Sequence, residues 1–393
     1  MSMKGLEWIL LSLLMVWSVG KGVAQNGVSP GIEDYGMYRA KIEGKRVGVV
    51  ANQTAVVPEL NMMHTVDFLR ERGVNVVKIF CPEHGFRGDA DAGEQVGDYR
   101  DKVTGLPVIS LYGKKKKPLP DDLKDIDVLI FDMQDVGVRF YTYISTLHYV
   151  MEACAENDIP LIVADRPNPN AFYVDGPVLD LKHRSFVGMH PVPVVYGMTI
   201  GEYARMVNGE GWLQGGEKCR LTVVACRNWE RDMTVELPRK PSPNLPDKVS
   251  VMLYPSTCLF EGTVVSEGRG TTIPFQVFGH PELKNMPYSF TPRSIEGMSK
   301  SPKCLGKVCY GMNLSGCYEE VKKGRKLRLD WLLLAYRNYA GEEPFFTSFF
   351  EKLAGTEQLR KDIIAGKEEE QIRASWQKEL ETFKQIRKKY LIY

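Results

Sequence analysis

The sequence of 393 residues lacks an excess of charge of either sign, since 51 Lys and Arg are balanced by 49 Asp and Glu and the formal net charge is +2. Proteins that bind nucleic acid through its phosphates usually carry a strong positive surplus, so the composition argues against a nucleic-acid ligand. Beyond the N-terminal segment, no apolar run approaches the roughly eighteen residues of a membrane-spanning helix. Any recognition of charge must therefore be local.

Several chemical motifs are also missing. The eight cysteines contain no CxxC pair and the six histidines no HExxH pattern, which argues against a zinc site or a thioredoxin-like redox centre. No GxGxxG follows the first predicted strand, and neither GxxxxGKS nor GxxxxGKT occurs, which argues against a nucleotide cofactor. GxSxG is absent as well, which argues against a serine hydrolase. We predict no metal and no cofactor.

The N-terminal segment has the pattern of an export signal. Lys4 precedes an apolar run over residues 9–19, and Gly22, Val23 and Ala24 are small residues where a signal peptidase would cleave. We predict a signal peptide over residues 1–24, a periplasmic or extracellular protein, and no stable membrane insertion after cleavage. An uncleaved membrane anchor is the alternative.

Export leaves the state of the cysteines open. Cys219 with Cys226, or members of the group Cys304, Cys309 and Cys317, could pair in an oxidising compartment. A chain of this length buries enough apolar surface to fold without such links. At the other three positions, which are Cys81, Cys154 and Cys258, we expect buried free thiols.

From residue 46 onward, short β-branched runs alternate with longer amphipathic ones. The pattern predicts strands at 46–50, 74–80, 108–111, 128–131 and 161–163, and helices at 62–71 and 141–156. This alternation implies parallel pairing through right-handed crossovers and a doubly wound α/β sheet. The proline-dense stretch 238–246 marks the predicted domain junction. After it, segments 252–260 and 263–272 are predicted to be strand-like and 351–393 to be helical.

Polar residues cluster where the predicted strands end, which is where ligands of open α/β sheets bind. Successive strands lead into Asn52 and Gln53, into Glu83, His84 and Arg87, into Asp132 and Asp135, and into Asp165 and Arg166. Each of these has an ordinary explanation as a turn or capping residue. Four such clusters at one sheet edge predict a site.

Glu83 is the leading candidate for a catalytic acid. Desolvation at the end of a buried strand favours the neutral carboxyl that protonates a leaving group. The neighbouring His84 titrates near neutral pH or orients Glu83 by a hydrogen bond. In the alternative interpretation, Glu83 caps a helix or binds backbone amides.

The segment 132–143 combines carboxylates, a guanidinium and aromatic rings just before a helix. This composition fits a sugar site, because acids serve the glycosidic bond and aromatic faces stack on sugar C–H groups. Its candidate residues are Asp132, Asp135, Arg139, Tyr141 and Tyr143. Arg166 and Arg269 are further guanidinium groups suited to a carboxylate or a phosphate.

Five strings, taken together and in this order, resemble the secreted exo-β-N-acetylmuramidases of bacteria, the NamZ-type family. They are CPEHGFRGDADAG at 81–93, FDMQDVGVRFYTY at 131–143, DRPNP at 165–169, PSPNLP at 241–246 and FEGTVVSEGRGT at 260–271. The resemblance extends over residues 30–393. It implies a Rossmann-like domain without a dinucleotide at 30–238 and a smaller α+β domain at 239–393 that completes an active-site cleft.

The resemblance also implies removal of N-acetylmuramic acid from the non-reducing end of peptidoglycan fragments, with Glu83 as the general acid. We expect Asp135 or Glu267 to be the second carboxylate, and Arg139 or Arg269 to pair with the lactyl carboxylate. A retaining, an inverting and a substrate-assisted course all remain open. The alternatives to a glycosidase are a non-catalytic periplasmic carbohydrate-binding protein and a cell-wall amidase or esterase. Release of free sugar separates the three.

Overall fold

The computed structural model describes residues 27–82, 85–87 and 97–393. The predicted signal peptide at 1–24 lies outside the described residues, and so do Glu83 and His84. The interpretations that rest on these residues therefore stay predictions.

The strands are β1 Val47–Ala51, β2 Val56–Val57, β3 Met63–His64, β4 Val76–Cys81, β5 Tyr99–Arg100, β6 Pro107–Ser110, β7 Val128–Asp132, β8 Leu161–Ala164, β9 Leu221–Val224, β10 Val277–His280, β11 Tyr288–Phe290 and β12 Cys309–Asn313. The α-helices are α1 Tyr35–Ile42, α2 Thr65–Glu71, α3 Pro120–Leu123, α4 Tyr143–Glu156, α5 Ile200–Gly209, α6 Lys248–Thr257, α7 Tyr318–Gly324, α8 Asp330–Asn338, α9 Phe350–Ala354, α10 Gln358–Ile364, α11 Glu369–Ala374 and α12 Gln377–Lys388. Short 3-10 helices occupy Gly31–Glu33, Pro58–Leu60, Leu181–His183, Gln214–Gly216, Cys258–Gly262 and Ser315–Cys317.

Within the described residues, a seven-stranded sheet has the order β5-β6-β4-β1-β7-β8-β9. All neighbours pair in parallel except the edge strand β5, which is antiparallel to β6. Numbered along the chain, the parallel strands follow the order 3-2-1-4-5-6, which is that of a Rossmann-like doubly wound sheet. The predicted α/β class is confirmed, and the strand order reverses between β1 and β7.

The two faces of this sheet separate the core into two layers. Val49, Ile130 and Ile162 pack on one face, whereas Val50, Phe131 and Val163 pack on the other. Successive side chains of a strand point to opposite faces, and helices cover both faces of a parallel sheet, so its central strands are apolar throughout. This is why short, uninterrupted β-branched runs predicted these strands to within one or two residues.

The remaining part of the chain adds a three-stranded antiparallel sheet, β10-β12-β11, and the helices α7 to α12. The prediction that the tail is helical is confirmed. None of the helices in the described ranges is long and apolar enough to cross a membrane. All eight cysteines are free thiols, so none of the disulfides considered above is present.

The predicted strand at 252–260 is wrong, because these residues form most of α6 and the 3-10 turn after it. Asp247 begins the helix by accepting a hydrogen bond from the Ser250 N–H at 2.8 Å. The helix is buried on nearly all sides, so it has no polar face to reveal its period.

The segment 263–272 forms no regular strand either. Thr263 and Ser266 make single bridges to Phe346 and Gly279, and the backbone then turns at Gly268, which has a φ of 84°. A left-handed φ is readily adopted by glycine and interrupts an extended run.

Candidate active site

A cleft of about 870 Å³ lies at the carboxyl end of β1. Gln53 enters it just after β1 and Arg87 lies shortly after β4. The full lining is Gln53, Val56, Met62, His64, Asp67, Arg87, Pro238, Arg239, Lys240, Pro243, Gly297 and Met298. The cleft therefore combines the edge of the Rossmann-like sheet with the proline-dense segment and with residues of the C-terminal region, at the position where the strand order favours ligand binding.

Asn52 is fully buried behind the cleft and organises the turn after β1. Its Nδ2 donates to the Tyr143 hydroxyl at 2.6 Å, and its Oδ1 accepts from the Thr54 N–H at 3.0 Å and the Thr54 hydroxyl at 2.6 Å. Buried amides need such partners to offset desolvation. Asn52 therefore supports the turn beneath the cleft and does not line it.

The carbonyl oxygen of Pro241 is an acceptor shared by several of the predicted residues. The Tyr141 hydroxyl donates to it at 2.6 Å and the Tyr143 hydroxyl at 3.3 Å. Gln53 Nε2 lies 3.4 Å from the same oxygen and 3.4 Å from the carbonyl of Lys240. These bonds attach the proline-dense segment to the sheet edge, so the two sides of the cleft are fixed relative to each other.

His64 lines the cleft as a neutral imidazole. Its Nδ1 accepts from the Val66 N–H at 3.2 Å, so its Nε2 carries the proton and donates to the Asn52 carbonyl at 2.9 Å. Burial lowers the pKa of His64, and its ring packs edge-on against Phe86 at 4.5 Å. His64 therefore contributes a fixed aromatic wall with no charge at neutral pH.

Arg87 lies in the cleft with its guanidinium already paired. Its Nε and Nη2 bind the two oxygens of Asp101 at 2.9 Å each, and Nη1 lies 3.7 Å from Asp67. The hydrogen bonds from Arg87 hold the pKa of Asp101 well below its usual range. A substrate in the cleft would therefore meet the ion pair of Arg87 with Asp101, and not an unpaired guanidinium.

Asp132 and Arg166 bind each other in the core. Arg166 Nε donates to Oδ1 at 2.5 Å and Nη2 donates to Oδ2 at 2.8 Å, while the Thr65 hydroxyl also donates to Oδ2. The side chains are 0% and 2% exposed. Their predicted contact with substrate has no support in this arrangement, because this bidentate pair is enclosed and links β7, the β8 loop and α2.

Asp135 lies just beyond β7 with one oxygen satisfied and one not. Its Oδ2 accepts from the Gly137 N–H at 2.7 Å and from the Tyr196 hydroxyl, whereas Oδ1 is buried without a hydrogen-bond partner among the described residues. Burial raises the pKa of Asp135 to about 6, against the hydrogen bonds from Tyr196 and the backbone. A carboxyl that changes protonation near neutral pH suits proton transfer.

Arg139 does not reach the cleft. Its guanidinium is fully buried, and its Nη atoms donate to the carbonyls of Pro177, Val192 and Leu353 at 2.7 Å each. The arginine joins two loops of the sheet domain to the carboxyl end of α9. The expectation that Arg139 binds the lactyl carboxylate finds no support in this arrangement, because backbone carbonyls enclose the guanidinium.

Asp165 is also directed away from the cleft. Its Oδ1 accepts from the N–H of Gly201 at 2.8 Å and of Arg166 at 3.0 Å, and its Oδ2 accepts from the hydroxyls of Thr199 at 2.7 Å and Tyr393 at 2.8 Å. The carboxylate thus lies at the N-terminus of α5 and holds the C-terminal residue. Its predicted role in substrate binding is replaced by a structural one.

Glu267 and Arg269 form an ion-pair cluster in the C-terminal region. Arg269 binds Glu261 at 2.6 Å and lies 3.3 Å from Glu267, whose second oxygen is 3.2 Å from Lys303. Although burial acts in the opposite direction, Glu261 and Glu267 raise the pKa of Arg269. Neither residue lines the cleft, and the guanidinium of Arg269 is committed to carboxylates of its own chain.

Several lining residues escaped the sequence analysis. His64 is isolated in the sequence, and Met62 and Met298 have no chemical signature. Arg239 and Lys240 did have a signal, since they are the two adjacent cations inside the proline-dense stretch. Only the folding of that stretch against Gln53, Tyr141 and Tyr143 brings them to the cleft.

Comparison with known proteins places both parts of the chain in one family. Residues 47–249 match the family model described as exo-beta-N-acetylmuramidase NamZ, N-terminal, and residues 252–393 match its C-terminal counterpart. The peptidoglycan beta-N-acetylmuramidase NamZ of Bacillus subtilis (strain 168) is 41% identical over 390 residues, which covers 95% of this chain and 92% of that protein.

Two crystal structures of DUF1343 family proteins from Bacteroides fragilis NCTC 9343 have the same fold. The first has a TM-score of 0.86 and 47% identity, and the match covers 93% of this chain and 99% of that one. The second has a TM-score of 0.76 and 32% identity, covering 94% and 100%. The fold is therefore shared over nearly the full length of each.

Proposed function

Because the chain belongs to the family of exo-beta-N-acetylmuramidase NamZ and is a glycosidase, we propose that it removes N-acetylmuramic acid from the non-reducing end of peptidoglycan fragments. The observation that carries the proposal is the match over 95% of the chain to a peptidoglycan beta-N-acetylmuramidase. The cleft, which lies where the strand order of the sheet reverses, is consistent with the proposal, since its volume of about 870 Å³ accommodates the terminal sugars of such a fragment.

The proposal is tested with a defined disaccharide in which N-acetylmuramic acid is the non-reducing sugar. The purified protein is expected to release free N-acetylmuramic acid, which mass spectrometry detects. Binding without release would instead support a carbohydrate-binding protein. Loss of an acyl or peptide group with an intact glycosidic bond would support an amidase or esterase.

We propose Glu83 as the general acid that protonates the departing glycosidic oxygen. Its support is its sequence position: it follows Pro82 directly, two residues after β4 ends at Cys81, and β4 itself pairs with β1. For the second carboxylate we propose Asp135, which does not line the cleft but follows β7 on the other side of β1 and keeps one oxygen without a partner among the described residues. Both oxygens of Glu267 already face cations.

Replacing Glu83→Gln is expected to lower kcat on the disaccharide by roughly 10²- to 10⁴-fold, the range typical of general acid catalysis. A 4-nitrophenyl N-acetylmuramide should lose much less, because nitrophenolate leaves without a proton. Steady-state kinetics on both substrates measure this difference. The matched control is Glu71→Gln, at the exposed end of α2, which should behave as the wild type on both.

Two results would remove Glu83 from this role. One is near-normal turnover of the disaccharide by Glu83→Gln. The other is an equal loss on both substrates with an unchanged circular dichroism spectrum, because loss of a general acid should affect nitrophenolate departure much less.

A further inference from the structure

A sugar with a lactyl carboxylate needs a cation in its binding site, and the arginines considered first are committed elsewhere. Arg139 donates to backbone carbonyls in the core, and Arg269 is bound by Glu261 and Glu267. Arg166 is held by Asp132, and Arg87 by Asp101. Arg139, Arg166 and Arg269 do not line the cleft, and the charge of Arg87, which does, is already neutralised by Asp101.

Two other cations line the cleft and are exposed, Arg239 and Lys240. No ion pair or side-chain hydrogen bond is formed by either of them with the part of the chain that the structure describes. Among the lining residues that the structure describes, Asp67 is the acidic one, and it lies 3.7 Å from Arg87, whose main partner is Asp101. The described part of the lining therefore has a positive surplus, and Arg239 and Lys240 supply it.

The backbone that carries these two cations is held in place. Gln53 Nε2 lies 3.4 Å from the carbonyls of both Lys240 and Pro241, and the hydroxyls of Tyr141 and Tyr143 donate to Pro241 at 2.6 and 3.3 Å. An anchored backbone limits the positions that its exposed side chains can reach. The two side chains therefore lose less conformational entropy when they bind a ligand.

A second cavity, of about 260 Å³, shares Pro238, Arg239 and Lys240 with the cleft. The two cationic side chains thus border open space in both cavities instead of packing on the core. Room around the charges allows an anionic substituent to reach them without displacing a protein group.

We propose that Arg239 and Lys240 bind the lactyl carboxylate of the terminal N-acetylmuramic acid and make the enzyme select an acidic sugar over a neutral one. The inference rests on the proposed function. A guanidinium and an adjacent ammonium offer a carboxylate charge-assisted hydrogen bonds, which are stronger than those between neutral groups. The sugar ring is thereby fixed in the cleft at the carboxyl ends of β1 and β4.

The test compares two substrates that differ in one charge, the muramic-acid-terminated disaccharide and the same disaccharide with its lactyl group converted to a methylamide. The wild type is expected to prefer the free acid by roughly tenfold to a hundredfold in kcat/KM, mainly through KM, which is the range for hydrogen bonds to a charged group. In Arg239→Ala/Lys240→Ala this preference should fall to about twofold or less. The single variant Arg239→Lys should retain most of it.

A matched control removes the same charge elsewhere. Arg227→Ala/Lys378→Ala deletes two exposed cations that do not line the cleft and should keep the wild-type preference. An undiminished preference in Arg239→Ala/Lys240→Ala would overturn the inference, as would an equal loss in the control, which would indicate a general field effect.

Failure of the proposed function gives a different result. If the wild type released sugar from neither substrate, the glycosidase assignment to this substrate would fall. Calorimetric binding of N-acetylmuramic acid against N-acetylglucosamine by the same variants would then decide the role of the two cations. Equal binding of both sugars by the wild type would reject it.

Discussion

At the scale of single residues, burial and partners decide what each predicted side chain does. Asp132, Asp165 and Arg139 have the residue types expected of a sugar site, yet each is buried and bound to partners within the fold. Of their polar side-chain atoms, only the Nε of Arg139 is without a hydrogen-bond partner among the described residues. Asp135 differs, because one of its oxygens is buried with no partner among the described residues. Residue type alone does not distinguish a carboxylate that holds the fold from one that acts on a ligand.

The pair formed by Asp132 and Arg166 predicts a large stability effect. Asp132→Asn removes the charge but keeps the shape, and it leaves the guanidinium of Arg166 buried and uncompensated. We expect the free energy of unfolding to fall by roughly 3 kcal/mol, as is typical when one partner of a buried pair is removed. Urea denaturation measures the loss.

The control for that variant is Asp127→Asn, which breaks the surface pair with Arg46 at 2.8 Å. Solvent screens this pair, so its loss should be far smaller. Comparable losses in the two variants would show that burial does not determine the strength of the interaction between Asp132 and Arg166.

Asp135 predicts a pH dependence of stability with an unusual sign. Its folded-state pKa of about 6 lies above the value of 3.8 for an ordinary aspartate, so between these two pH values the folded chain holds a proton that the unfolded chain does not. This contribution makes the wild type less stable as the pH rises from about 4 to 6. Asp135→Asn lacks it, so its stability relative to the wild type should rise over the same window, by at most roughly 3 kcal/mol.

Denaturation curves of both proteins at several pH values measure this difference. Parallel stabilities of the two proteins from pH 4 to 7 would show that Asp135 is ionised throughout. The raised pKa would then no longer support Asp135 in proton transfer.

At the scale of elements, the strands of the parallel sheet were predictable and α6 was not. β1 and β7 are buried along their entire length, so their composition alone indicates strands. α6 is buried on nearly all sides as well, and a helix in that environment shows no 3.6-residue pattern of polar and apolar residues. It also contains Pro255, which a sequence reading takes as evidence against a helix.

The tertiary structure compensates for Pro255. A proline at this position provides no N–H for the carbonyl of Val251, four residues earlier in α6. The Nδ2 of Asn170 donates to the Val251 carbonyl at 3.2 Å instead, and it also donates to the Val136 carbonyl at 2.9 Å. The helix therefore depends on an amide from the DRPNP motif region for a bond that its own sequence does not supply.

At the scale of the whole molecule, many contacts tie the C-terminal region back to the Rossmann-like domain, and two of them are buried hydrogen-bond groups at Arg139 and at the C-terminal residue. Arg139 donates to the carbonyl of Leu353 at the end of α9. At the C-terminus, the Tyr393 hydroxyl donates to Asp165 at 2.8 Å and accepts from the Cys226 N–H at 2.6 Å. These contacts hold together the two regions whose residues line the cleft.

The C-terminal contact predicts the effect of Tyr393→Phe. The ring keeps its edge-on contact with Trp229 at 4.7 Å, while both hydrogen bonds of the hydroxyl are lost and Asp165 loses a donor. We expect the free energy of unfolding to fall by about 1–3 kcal/mol. Thermal and urea unfolding measure it.

Tyr310→Phe is the control, since Tyr310 is 42% exposed and its loss of a hydroxyl should change little. Unchanged stability in Tyr393→Phe would mean that solvent replaces both partners of the hydroxyl, and that the hydroxyl does not fasten the two regions.

The sequence by itself determined the α/β class, the central strands, the helical tail and the family, because buried parallel strands and five motifs in order can be recognised from the residues alone. The tertiary structure decided which of the polar residues face the cleft. Asp132, Arg139 and Asp165 are buried among partners that lie up to 228 residues away along the chain. The segment of Arg239 and Lys240 reaches the cleft because the distant residues Gln53 and Tyr141 bind its backbone. Pairing and burial depend on groups remote in sequence, so local pattern does not contain them.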